Sequence, residues 1–410
     1  MRVLISGASI AGPVVAYWLA RSGWDVTVVE RAAALRKAGG HAVDLFRPAM
    51  EISERMGVLT RVQARATGAT VLAVHRPWAP EPARIDYRKL IGVVSDRHVE
   101  IMRDDLSEIY YDASRDNAEY VFGDQITSIA HDGKVTFEHS RDRRFDVIVG
   151  ADGLHSGVRR LVFGDDVPET FLGGYLAVVS VPKSLAREGE MSGYFEPRRV
   201  AMVYTADHLD DARAVFLFRP ELPLDYDHRD GARQRDQLRS AFAGMGREVD
   251  RWLDEVDVTP AFYFDAITQL EMSTWSRGRV TLVGDAGYCP GPAVGGSTSL
   301  AVYGAYVLAN ELVCARGDHA AAFAAYERRM EQPVLHSRSL ARVNAKTIVP
   351  GSQWGVRALI GVARAVSVLP PTLTRAVARL NDKGIRLYDS MLVPDYSSAT
   401  NRRSTHPPAS

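Results

Sequence analysis

The sequence predicts an α/β fold: a Rossmann-like nucleotide-binding domain, an inserted and mostly antiparallel β-sheet domain, and C-terminal helices. Three observations predict it. A strand–turn–helix–strand unit opens the chain over residues 2–30. Runs rich in Val, Phe and Tyr, bounded by turn residues, fill 171–268. From residue 320 the apolar pattern turns helical and runs to 393, with a break at Pro370–Pro371 between two helices.

The opening unit comes first. RVLIS (2–6) is a short aliphatic run, the mark of a buried parallel strand. GASIAGP follows, with Gly7, Ser9 and Gly12 where a dinucleotide loop has Gly-x-Gly-x-x-Gly. Val14, Val15, Trp18 and Leu19 recur at helical spacing, so a helix is predicted over Ala11 to Arg21, capped by Gly23. DVTVVE (25–30) is a second strand ending on Glu30.

Each part has a task. Gly7 permits the tight turn, the Ser9 position brings backbone close to a pyrophosphate, and Gly12 lets the helix approach the strands. The helix N-terminus offers free N–H groups and a positive dipole to phosphate. Glu30 accepts from both hydroxyls of an adenosine ribose and repels a 2′-phosphate. Gly7, Ser9, Ile10, Ala11, Gly12, Glu30 and Arg31 are therefore the candidate site for FAD or NAD, with NADP disfavoured. Serine at the central position suits this if its φ is negative. The alternative is an ordinary turn with Ser9 as a helix cap.

Two later stretches have the same texture. FDVIVGADGLHSGVRR (145–160) is a buried strand running into a tight turn at Asp152–Gly153. RVTLVGDAGYCPGPAVGGSTSLAVYGAYVLANEL (279–312) is a strand ending at Gly284–Asp285, a Pro/Gly-rich loop and a long apolar helix. With the N-terminal loop, these motifs resemble, in order and approximate distance, the class A flavoprotein monooxygenases, the para-hydroxybenzoate hydroxylase family. The resemblance covers the first three quarters of the chain. Its texture leans toward the subgroup that modifies natural products and tetracyclines, AGGHAVDLF (38–46) in particular.

The resemblance implies a Rossmann-like FAD-binding domain and assigns roles. Asp285 binds the ribityl chain of FAD. Asp152 and Gly153 lie beside FAD and the reduced nicotinamide. In HVEIMRDDLSEIYYDA (98–113), read as a helix, Arg103 reaches the FAD phosphates or ribityl chain. Arg47 and Asp44 pass the flavin ring, as does Pro292. The helix starting near Gly295, Gly296 and Ser297 aims N–H groups at the ring edge where reduced flavin builds negative charge. The chain departs from the family at Ser297, Ser299 and Tyr288, which bears on hydrogen bonding around the ring.

Residues 171–182, 192–196, 200–205, 213–219 and 261–268 read as strands of the inserted sheet, joined by TVLAVHRPW and IGVVS from 70–97. Residues 231–253 read as a helix pair. Tyr175, Phe195, Tyr204, Phe216, Phe218, Tyr263 and Phe264 are the candidates to line a substrate pocket, although sheet aromatics usually form core. The implied domains are 1–70, 98–168 and 269–330 for FAD, 71–97 and 169–268 for substrate, 331–395 for the C-terminal helices, and a disordered tail at 396–410.

Composition bounds the rest. Fifty basic residues balance fifty acidic ones among 410, so no global field attracts nucleic acid or anionic lipid. Two cysteines imply no disulfide framework and a reducing cytoplasm. No run suggests a membrane span. Eleven histidines show no metal-ligand spacing, so no metal is expected. The implied function is an FAD-dependent, NADPH- or NADH-consuming monooxygenase, monomer or homodimer. It would insert one atom of O2 into an aromatic, polyketide-like or other small organic substrate through a flavin C4a-hydroperoxide. Alternatives are a reductase or dehydrogenase of the same fold, or a flavoprotein that binds a small molecule without turnover.

Overall fold

The computed structural model describes residues 1–35, 39–95, 97–225, 227–259, 261–292, 296–370, 388 and 391–396. Two large sheets organise it. The first has six strands in the order Ser276–Arg277, Val280–Leu282, Val147–Gly150, Arg2–Ser6, Asp25–Glu30 and Glu119–Phe122. All neighbours are parallel except the short first strand. Its central strands are apolar on both faces, as a sheet covered on both sides requires.

The helix Ala11–Arg21 covers one face and ends where Gly23 takes φ +80. The helix Ser297–Cys314 packs on it and is buried nearly all round, matching a sequence that is apolar all round. The strands at 2–6, 25–30, 147–150 and 280–282 and the first helix fall where the sequence places them, while the edge strands Glu119–Phe122 and Ser276–Arg277 were not foreseen.

The second sheet has seven strands in the order Phe262–Leu270, Glu169–Pro182, Asp211–Phe218, Arg199–Tyr204, Glu190–Glu196, Val71–Arg76 and Ala79–Asp86. Every pairing is antiparallel except Glu190–Glu196 with Val71–Arg76. A two-stranded ribbon, Ala42–Phe46 against His98–Met102, sets Asp44 opposite Glu100.

The seven-stranded sheet has two buried faces, because side chains alternate along each strand. The outer face, with Tyr175, Phe216, Phe218 and Phe264, packs on the helices Gly231–Phe242 and Arg247–Asp254 through Leu238, Phe242, Val249 and Trp252. The inner face, with Phe195, Tyr204 and Tyr263, meets Met102 of the ribbon and Ala341, Ala345, Val356 and Ile360 of the C-terminal helices.

Three local readings are corrected. IGVVS lies in the helix Tyr87–Val94, not in a strand, because the Asp86 carboxylate caps its N-terminus by accepting from the N–H groups of Arg88 and Lys89. HVEIM is a strand, and the helix begins only at Arg103. The C-terminal helices His319–Ile348 and Gln353–Val368 part at Pro350–Gly351, where Ser352 caps the second. The second helix ends at Val368, just before the break foreseen at Pro370–Pro371, of which Pro371 lies outside the described residues; of the foreseen tail 396–410 only Tyr396 is described, and its hydroxyl donates to Glu311 Oε1 at 2.6 Å. Among the described residues no helix is long and apolar enough to cross a membrane, and no group of His, Cys, Asp and Glu could hold a metal.

Candidate active site

The opening loop is built around the absence of two side chains. Gly7 holds φ +106, and a Cβ there would sit 2.5 Å from the Ala151 carbonyl oxygen. A Cβ on Gly12 would lie 1.9 Å from the Gly7 carbonyl oxygen and 3.3 Å from Ile5 Cγ2. So Gly12 admits the helix to its own turn as well as to the strand. Ser9 is not among the residues at positive φ, so a side chain costs nothing there.

Glu30 is tied to this loop: its carboxylate accepts from Ala8 N at 3.0 Å and Ala32 N at 2.9 Å. Arg31 beside it is exposed. Ile10 caps the helix without a side-chain hydrogen bond, and no acidic residue stands in the first turn. Among the described residues the first N–H groups are thus left without a capping side chain, and no acid from the first turn faces the positive dipole end. The same holds for the helix Ser297–Cys314, which starts at Gly296.

The late motif brings these two helix ends together. Gly284 takes φ +67, and a Cβ on it would lie 3.2 Å from Ala301 Cβ and 3.6 Å from Ala11 Cβ. Asp285 follows. Burial pushes its carboxyl up from the usual range, while the Arg103 guanidinium opposes that rise. Arg103 also donates from Nη2 to Ser9 Oγ at 3.3 Å. One guanidinium therefore joins the first loop to the Gly-Asp turn.

Asp152 is placed differently. Its carboxylate accepts from Ser156 Oγ and from Val158 N at 3.1 Å, capping the helix Gly157–Phe163. The Asp-Gly motif meets the first loop through backbone, with Ala151 N donating to Ser6 O at 2.8 Å. Gly153 takes φ +80 in that turn. Asp265 carries the next contact: it accepts from His155 Nε2 at 2.9 Å and from the Tyr263 hydroxyl at 3.3 Å.

The segment 39–46 is held from four sides. Gly40 N donates to Asp104 Oδ2 at 2.8 Å, and Gly40 O accepts from Arg213 Nε at 3.1 Å. His41 O accepts from Arg103 N at 3.1 Å, and Ala42 N donates to the Tyr204 hydroxyl at 2.7 Å. Ser299 Oγ accepts from Phe46 N at 2.9 Å and donates to Asp44 O at 3.0 Å. Ser299, a departure from the family pattern, pins this strand to the helix.

Asp44 Oδ1 faces His98 Nε2 at 2.6 Å. Arg47 is the first residue of the helix Arg47–Arg55, not a strand residue, and lies 3.9 Å from Glu51. Pro292 is buried and Ser297 half-buried, while Gly295 lies outside the described residues.

Tyr288, the other departure, points into the core. Its hydroxyl fits the notch left by Gly304, where a Cβ would lie 2.0 Å away, and accepts from the Tyr326 hydroxyl at 3.2 Å.

Of the seven aromatic candidates, Phe195, Tyr204 and Tyr263 face inward. Tyr175, Phe216, Phe218 and Phe264 face the helices on the other side, which corrects their assignment to a flavin-side pocket. Tyr263 feels the charges of Arg103 and Asp285 and lies 6.2 Å, centroid to centroid, from His41. Sequence reasoning missed His41 and Tyr388. Burial first, then Arg103, lowers the His41 pKa to about 4, so its ring is neutral at pH 7. Tyr388 is buried, stacks on Phe46 at 5.0 Å and shares a 2.9 Å hydrogen bond with Ser337 Oγ. A Cβ on Gly296 would lie 2.7 Å from its ring. His41 had a signal, its place inside AGGHAVDLF; Tyr388 had none.

This geometry fits a dinucleotide. Two uncapped helix ends, a glycine cradle and a ribose-height carboxylate at Glu30 would hold adenosine and pyrophosphate. Arg103 and the buried Asp285 would hold a polyhydroxyl chain further in.

The comparisons agree. A model of the FAD binding domain family matches residues 1–331. The chain is 41% identical over 359 residues to an uncharacterized protein of Mycobacterium tuberculosis, covering 85% of this chain and 94% of the relative. It is 35% identical over 338 residues to a flavin-dependent monooxygenase of Legionella longbeachae, covering 80% and 84%. The crystal structure of tetracycline destructase Tet(55) superposes with a TM-score of 0.79 at 30% identity, covering 96% of this chain and 98% of that one.

Proposed function

This chain belongs to the FAD binding domain family and is an FAD-dependent monooxygenase, and we propose that its substrate is a planar, oxygen-rich small molecule of the fused-ring polyketide class. The observation that carries the reading is the meeting of Tyr263, His41 and Arg103 at one place. There the inner face of the seven-stranded sheet meets the segment 39–46 and the Asp285 turn. A flat ring suits the Tyr263 face. A neutral His41 both donates and accepts, which suits neighbouring hydroxyl and carbonyl groups. The likeness to Tet(55), a tetracycline destructase, supports the same ligand class.

When bound, FAD supplies electron transfer from NADH or NADPH and the activation of O2. The protein's own residues bind, orient and exclude water. Glu30, Ser9 and the Ala11–Arg21 helix end would hold the adenosine diphosphate half. Arg103 sets the charge between that half and Asp285. The apolar face made by Ala341, Ala345, Val356 and Ile360 closes the inner side of the sheet against solvent. Asp44, in the middle of the ribbon, pairs with His98 and its charge also acts on His41, while Arg47 opens the helix Arg47–Arg55 beyond the ribbon.

The test is NADPH and NADH oxidation by the FAD-loaded protein against a panel of phenols, fused-ring polyketides and antibiotics, with products read by mass. The polyketide arm is expected to stimulate oxidation and to yield a product one oxygen heavier. Stimulation confined to simple phenols overturns the substrate class. A protein with no flavin absorbance after FAD addition overturns the cofactor assignment to these residues.

A further inference from the structure

A cavity opens on the outer side of the seven-stranded sheet. It holds about 450 Å³, between the ends of Arg199–Tyr204 and Asp211–Phe218 and the helix Gly231–Phe242. Phe218 and Leu224 give it an apolar floor. Among the described residues four arginines line it against one carboxylate, the exposed Asp236.

Two of those arginines are engaged. Arg199 pairs with Glu196 at 2.6 Å, and Arg233 with Asp225. Arg198 and Arg219 have no carboxylate partner among the described residues. Among the described residues their side chains reach only main-chain carbonyls, at full stretch: Arg198 Nη1 to Arg219 O and Pro220 O at 3.5 Å each, and Arg219 Nε to Gly173 O at 3.4 Å. Such long bonds are readily exchanged for a charged acceptor.

Arg198 holds φ +66 as the second residue of the two-residue turn between Glu196 and Arg199, and Arg198 N to Pro350 O at 2.7 Å and Arg219 N to Arg198 O at 2.8 Å fix it beside Arg219. Gln237, in the cavity wall, donates from Nε2 to Asp225 O at 2.9 Å.

We infer that this cavity is a ligand site separate from the flavin site, built for a small organic anion. A flat ring lies on Phe218, and a phosphate or carboxylate sits between Arg198 and Arg219. Phosphate and carboxylate make the same fork with arginine, so the ligand's source is decided by experiment.

The experiment is calorimetric titration of the FAD-loaded full chain with AMP and with anthranilate, both of which carry a ring and an anion. Inorganic phosphate and adenosine are the controls. Variants are Arg219→Ala and Arg198→Gly; the second relieves the φ strain, so it folds at least as well as the parent. At least one probe is expected to bind, and each variant to weaken it about tenfold, the loss of one charge-assisted contact. Flavin absorbance should stay unchanged. AMP alone binding assigns the phosphate, and anthranilate alone assigns the carboxylate. The inference is overturned if neither probe binds, if both variants bind as the parent does, or if inorganic phosphate binds as well as either probe, which marks an adventitious ion only.

Discussion

Arg103 Nη2 donates to Ser9 Oγ across 3.3 Å, and so the residue that replaces a loop glycine is the one the arginine grips. Glycine at this position would leave that guanidinium edge without the contact. The serine is thus compatible with the loop and ties it to the Asp285 side of the site.

The loop predicts a graded series. Ser9→Gly should retain FAD, since the bond to Arg103 is long and the backbone is unstrained. Arg103→Ala should weaken FAD binding about tenfold to a hundredfold, the worth of a charged hydrogen bond. Gly12→Val should fail to retain FAD at all, because its side chain meets the Gly7 carbonyl. Flavin absorbance after gel filtration, beside circular dichroism for folding, reads all three.

The start of the second helix predicts a coupled pair. Gly296→Ala places a Cβ at φ +63 and against the Tyr388 ring. The φ strain alone is about 1–2 kcal/mol, and the ring contact adds to it. In a Tyr388→Ala background the ring contact vanishes, so the same substitution should cost only the strain. Denaturant midpoints of the four proteins give the coupling.

His41 predicts an acid-side loss of stability. Its folded pKa of about 4 lies below the unfolded value near 6.5, so the folded chain binds the proton less readily. The contribution is fully present above pH 6.5 and is lost as the pH falls through 4. Allowing for the part of the ring that meets solvent, it amounts to about 2 kcal/mol. His41→Gln should flatten the slope of unfolding free energy between pH 7 and 4.5 relative to the parent.

Strand parity predicts a split between two aromatics. Tyr263→Ala should raise KM for substrate, since its ring faces inward beside His41. Phe216→Ala should leave KM unchanged and cost about 3–5 kcal/mol of stability, because Phe216 is fully buried against Phe242 and Trp252.

The first thirty residues were legible because each signal agreed with its neighbour. An aliphatic strand led to glycines, a 3.6-period helix, a glycine stop and a second strand ending on Glu30. IGVVS was not legible, since a five-residue apolar run fits strand or helix alike and only the Asp86 cap decides. Nor was the facing of the sheet aromatics: alternation shows that a strand has two faces, and which one looks toward Asp285 is set by packing partners far along the chain. Tyr388 reaches Gly296 and Phe46 from nearly a hundred positions away or more, by tertiary packing that no local pattern announces.

The most direct test of the monooxygenase account is turnover under isotopically labelled dioxygen, with purified FAD-loaded protein, NADPH or NADH and the best substrate from the panel. The account predicts a product carrying one labelled oxygen atom, and no such product when O2 is withheld. Equal product formation without O2, or a product free of label, would contradict it.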